Sequence, residues 1–138
     1  MALAIILVTS GSVPHWEDPN SLLLGLVDSK GWESLFFGEM ETLTYFEYTN
    51  QGNTASTYEE YYADRIAEIG SQYPLLVRAK DYYQDAFFSE HEIVGLAHEI
   101  KTLRRSVKNK EAQVYLDQLL KACETALINT AAIQLSAD

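Results

Sequence analysis

The residues of this chain that could do chemistry are three histidines, one cysteine and a large stock of carboxylates. His91 and His98 each open an HEI triplet, and their seven-residue separation returns them to nearly the same face of a helix, which raises the question of a shared metal ion. Neither belongs to an HExxH or ExxH pattern, and both point away from the apolar stripe that starts at Ile93. Further ligands would have to come from another helix, so a solvated face is expected there, with a metal or pH-sensing role as the alternative. His15 stands beside Trp16 in a proline-flanked stretch and is expected to be an exposed loop residue. The lone Cys123 excludes an intramolecular disulfide framework and reads as a small core residue on an apolar helix face. Adjacent carboxylates such as Glu59 and Glu60 diverge by about 100° on a helix and cannot jointly flank a scissile bond. There is no P-loop, GxGxxG, GxSxG or CxxC pattern. The expectation is a protein that is not an enzyme and needs no cofactor, set against a small enzyme using Glu and His residues from separate helices.

Recognition chemistry is better represented. Nine tyrosines are present, several interleaved with acids: Tyr45, Glu47, Tyr48, then Tyr58, Glu59, Glu60, Tyr61, Tyr62, Asp64. Tyrosine offers a large rigid contact area with a polar tip, and neighbouring carboxylates pair with lysine or arginine across an interface. Tyr58, Tyr61 and Tyr62 share a helical face with Ile66 and Ile69, which favours inward packing for those three. The candidate partner-binding residues are therefore Glu47, Tyr48, Glu59, Glu60 and Asp64. The formal net charge is −10. Residues 1–64 carry ten acids against one base and residues 65–138 carry ten against nine, so the acidity is concentrated in the first half. Such a protein repels nucleic acid and anionic membranes and steers a basic protein toward itself. Lys101, Arg104, Arg105, Lys108 and Lys110 form an acid-free run, read mainly as cations at the negative end of a helix dipole.

These residues must be positioned by elements that periodicity partly reveals. A chain of 138 residues that is 47% hydrophobic fits one domain, 1–138, with a real core. Ala2 to Thr9 reads as a strand covered on both faces, its apolar run too short to span a bilayer and lacking a basic leader. A proline-bearing loop follows, and Ser21 to Asp28 is assigned as the strand that pairs with it, although a short helix ending at Gly31 fits the same residues. Trp32 to Phe37 is then a third short strand or the way into a helix. Helices are expected over Gly38 to Thr49 and from Thr57, a TYEE capping box, to Gly70. Another starts at Pro74, with Leu75, Leu76, Ala79, Tyr82 and Tyr83 on one face. Ser89 opens a further helix as SEHE, a capping box followed by the stripe Ile93, Leu96, Ala97, Ile100, Leu103 and Val107. Asn109 caps the last, with Ala112, Leu116, Leu119, Leu120, Cys123, Ala126, Leu127 and Thr130 as its apolar face. The fold class expected is α+β and helix-dominated, a small N-terminal sheet packed against four or five helices.

Two segments also resemble a family. LLGLVDSKGWESLFFGEMETL, residues 22–43, is similar to a pattern in immunity proteins of bacterial polymorphic toxin systems, matched at Asp28, Gly31, Met40 and Leu43. Glu39 stands where glutamine is usual and Glu33 where a small hydroxyl residue is usual. YPLLVRAKDYYQDAFFSEHEIVGLAHEI resembles the helix, aromatic-acidic turn and capped helix common in such proteins. The resemblance covers rather less than half the chain and carries over no functional residue, because these proteins bind through divergent surfaces. It implies a cytoplasmic protein that neutralises a basic toxin by covering it. The rival expectation is a structural or regulatory module that forms a homodimer through its helical stripes.

Overall fold

The computed structural model describes residues 3–9, 21–37 and 55–137, with the side chains of 21, 37 and 55–62 excepted. The described elements run β1 (Leu3–Val8), β2 (Ser21–Leu26), α1 (Ser29–Phe37), α2 (Ala55–Gln72), a 3-10 turn (Leu76–Ala79), β3 (Ala86–Phe88), α3 (Ile93–Ser106), α4 (Lys110–Asn129) and β4 (Ala132–Ala137). The architecture is α+β and helix-dominated: a four-stranded antiparallel sheet, in the order β2-β1-β4-β3, that shares one core with the described helices. The helix expected over Gly38 to Thr49 lies outside the described residues.

β1 forms because six consecutive apolar residues can be buried on both faces only in the middle of a sheet. Leu3, Ile5 and Leu7 face the helices, while Ala4, Ile6 and Val8 are buried on the opposite side with Ala132 against them. Its two neighbours come from opposite ends of the described chain, β2 on one side and β4 on the other. The Ser21 segment is thus the strand partner expected of it, with a bulge at Leu24 where the register shifts between Ile5 and Ile6. Trp32 to Phe37 belongs to α1. Asp28 caps that helix by accepting the Gly31 N–H at 2.7 Å.

Two stretches differ from the sequence reading. The helix expected from Pro74 through Tyr83 is a single 3-10 turn followed by an irregular turn and β3. The Glu99 carboxylate accepts the N–H groups of Leu75 and Leu76, and the Asp81 side chain accepts the Tyr83 N–H, so side-chain acceptors, one distant and one local, replace the helical ladder. Leu76 and Ala79, three apart, still point inward, as a 3-10 turn requires. At the other end, α4 stops at Asn129, and Thr130 adopts a left-handed conformation (φ 50°) that turns the chain into β4. Leu127 and Thr130, expected on the apolar face, are exposed, and Tyr115 and Ala122 are buried in their place.

The α3 stripe matches expectation: Ile93, Leu96, Ala97, Ile100 and Leu103 are buried. Its entry differs in detail, since the helix begins at Ile93 and the Ser89 hydroxyl donates to the Glu92 carboxylate, which also accepts the Ser89 N–H. α2 begins two residues ahead of Thr57 and runs two past Gly70. Ile69 on it is buried and Ile66 half-buried, as their spacing requires.

Candidate functional site

The second half of α2 presents its polar face beside a concavity. From Ala55 to Gln72 this helix carries four acids, Glu59, Glu60, Asp64 and Glu68, against one base, Arg65. Asp64 and Glu68 are one helical turn apart, and both are exposed. Arg65, between them in sequence, is turned elsewhere: its Nε and Nη2 donate to the Leu35 carbonyl at 3.3 and 3.1 Å. That carbonyl belongs to the last turn of α1, where the final C=O groups have no helical partner, so the guanidinium acts as a C-terminal cap. Its third nitrogen, Nη1, stands 3.9 Å from Glu68, too far for a strong pair in water.

A cleft of about 790 Å³ opens along this face. Its deeper walls are the buried Leu35, Ile69, Leu103 and Ala112, and its rim includes Asp64, Glu68, Gln72, Ser106 and Lys108, all exposed. The far side is the junction of α3 and α4, held by Asn109, whose side chain accepts the Ala112 N–H at 2.9 Å, and by Gln113, which donates to the Val107 carbonyl at 2.8 Å. Buried Ser34 fixes α1 to α4 there by donating to Glu111 at 3.3 Å. An apolar floor under a rim that is acidic along α2 can take up a side chain with an aliphatic stem and a cationic head.

Of the residues expected to contact a partner, Asp64 lies on this cleft. Glu59 and Glu60 belong to the preceding turns of α2, with side chains outside the described set, and Glu47 and Tyr48 fall outside the described residues altogether. Sequence reasoning missed Glu68, Gln72 and the Ser106–Asn109 wall. Glu68 had a usable signal, four residues after Asp64 on the same helix. The basic run divides: Arg104 reaches across to Asp117 through two hydrogen bonds of 2.9 and 3.3 Å, and Lys108 lines the cleft.

Of the other reactive groups, His15 lies outside the described residues, and the rest belong to the core and the surface. Cys123 is buried, and its thiol is pushed up to about 12 by that burial, which leaves it a poor nucleophile. His91 and His98 are both exposed. Among the described residues, no group of three or more His, Cys, Asp or Glu is placed to hold a metal ion, and no helix is long and apolar enough to cross a membrane. Of the residues that carried the family resemblance, Asp28 caps α1 and Gly31 allows α1 to touch α4, since a Cβ at that position would meet the Glu111 carbonyl and Tyr115 Cβ, while Met40 and Leu43 lie outside the described residues. No protein family, curated protein or solved structure matches the chain.

Proposed function

We propose that this chain is a non-enzymatic, cytoplasmic binding protein of the immunity type, which neutralises a basic toxin by covering it with the acidic face of α2. The observation that carries the reading is the pair Asp64 and Glu68, exposed at the rim of the cleft while the intervening Arg65 is engaged by the end of α1. A net charge of −10 steers a cationic partner toward the chain, and the partly apolar cleft gives its side chains a place to lodge. The mechanism is occlusion, so the chain itself needs no reacting group.

The test is affinity capture from lysate of the source cells at low and moderate salt, with the wild-type chain and the double variant Asp64→Lys, Glu68→Lys side by side. One basic protein retained by the wild type and released by the variant or by salt supports the reading. Capture of the same protein by both chains, or of nothing basic by either, refutes it.

Self-association is the second reading, and β2 is the observation that favours it. The apolar stripes of α3 and α4 lie in the chain's own core, which favours a sheet edge over those stripes as the contact. Among the described strands β2 is instead terminal, with the sequence SLLLGL and no charge, and Leu22, Leu23 and Leu26 are exposed on it. Sedimentation velocity across a hundredfold range of concentration separates the two readings. A mass that doubles with concentration, and returns to that of one chain in Leu23→Lys, favours the edge.

A further inference from the structure

Away from the cleft, an aromatic row among the described residues starts in the core and ends on a tyrosine that the core does not cover. Phe36, Trp32, Tyr82 and Tyr83 form a row of rings running from the buried Phe36 to the exposed Tyr83, with successive centroids 5.7, 5.3 and 5.6 Å apart. Tyr83 is 67% exposed, although a tyrosine with so much apolar area gains from burial. The turn that carries it is tied down at several points. The Trp32 indole N–H donates to the Ala79 carbonyl at 2.8 Å, and Asp81 accepts the Tyr83 N–H at 2.9 Å. Asp85 accepts the Ala137 N–H at 2.7 Å and so ties the turn to the end of β4. One oxygen of each of these two carboxylates is engaged in that way, and each has a second oxygen to offer a donor.

We propose that the turn Asp81–Asp85 is a recognition surface for an arginine side chain of a basic protein partner, stacked on Tyr83 and hydrogen-bonded by Asp81 or Asp85. The guanidinium is planar, prefers aromatic faces and donates in a fork that matches a carboxylate, which makes arginine a better occupant than lysine. A tyrosine carried on a tethered turn loses less entropy when a partner covers it than one on a free loop, as expected of an interface anchor. This proposal rests on the reading that the partner is basic, but it uses a different surface from α2, so the two can fail separately.

The experiment is a titration of the 15N-labelled chain with a peptide of alternating arginine and glycine, followed by amide shifts, with the lysine-glycine peptide as comparison. The expected result is that amides of residues 81–85 shift with the arginine peptide and less with the lysine peptide. Tyr83→Ala should weaken that local binding about two- to five-fold, the range for a cation–π contact at an exposed site, while Tyr83→Phe keeps it. Shifts confined to α2, or a Tyr83→Ala variant that binds as the wild type does, overturn the proposal and leave the α2 reading standing. Shifts at the turn that persist in Asp64→Lys, Glu68→Lys support the turn independently of α2.

Discussion

At the scale of single residues, two side chains make opposite statements about stability. Tyr115 is wholly buried in the core, and its hydroxyl has no hydrogen-bond partner among the described residues. A buried hydroxyl that has left water without a replacement costs about 1–3 kcal/mol, whereas a phenyl ring of the same shape does not. Tyr115→Phe is therefore expected to raise stability by about 1 kcal/mol in urea denaturation. Glu92 is the contrasting case: hydrogen bonding from Arg78, at 2.6 Å, and from the Ser89 N–H draws its carboxyl down to about 2, from an ordinary value of 4.5. The folded state therefore holds this proton less tightly than the unfolded chain. The stability gained is complete above about pH 4.5 and lost as pH falls toward 2. Both partners are partly exposed, so the effect is modest and weakened by salt. Denaturation midpoints of the wild type and Glu92→Gln should differ most above pH 5 and converge near pH 2; a constant gap would exclude the linkage.

Elements show which parts of the fold a sequence can disclose. α3 and α4 were legible because each repeats apolar residues with the helical period over several turns, and β1 because an uninterrupted apolar run needs cover on both faces. β4 was not, although Ile133 and Leu135 face the helices and Ala132, Gln134 and Ser136 alternate with them. The stop signal before it is a left-handed Thr130, where a glycine or asparagine would have announced the end of the helix. The stretch from Pro74 to Phe88 misled for another reason. Its spacing is helical, but Glu99, more than twenty residues later, takes two of its N–H groups. A distant acceptor leaves no trace in local periodicity. The packing of α1 on α4 yields the prediction of this scale. A Cβ at Gly31 would stand 2.5 Å from Tyr115 Cβ, and the Glu111 backbone cannot move aside without displacing α4. Gly31→Ala should cost roughly 1–3 kcal/mol, the usual penalty for overpacking, and lower the thermal midpoint by several degrees. An unchanged midpoint would show that the two helices are not in this contact.

For the whole molecule, the two edges of the sheet and the distribution of charge set the surfaces open to a partner. β3 is three residues long and guarded by Arg78, which donates to the Phe87 carbonyl at 3.5 Å and lies over the Phe88 ring. β2 is longer and uncharged, but Gln118 donates to the Leu26 carbonyl and accepts the Asp28 N–H at 3.0 Å, much as a neighbouring strand would. With the Leu24 bulge, this shortens the stretch another strand could join. On α2, by contrast, the described acids Asp64 and Glu68 are exposed beside the cleft, which is why heterologous binding is the first reading and self-pairing the second. The site itself was only half legible. Asp64 could be singled out from acids among tyrosines, but the cleft is made where α1, α2 and the α3–α4 junction meet, and no local pattern reports that meeting. The most direct test of the central claim is amide hydrogen exchange of the chain alone and with the basic protein it captures. The account predicts new protection in residues 63–72 and 106–109, around the cleft. Protection centred on β2, with α2 exchanging as in the free chain, would contradict it.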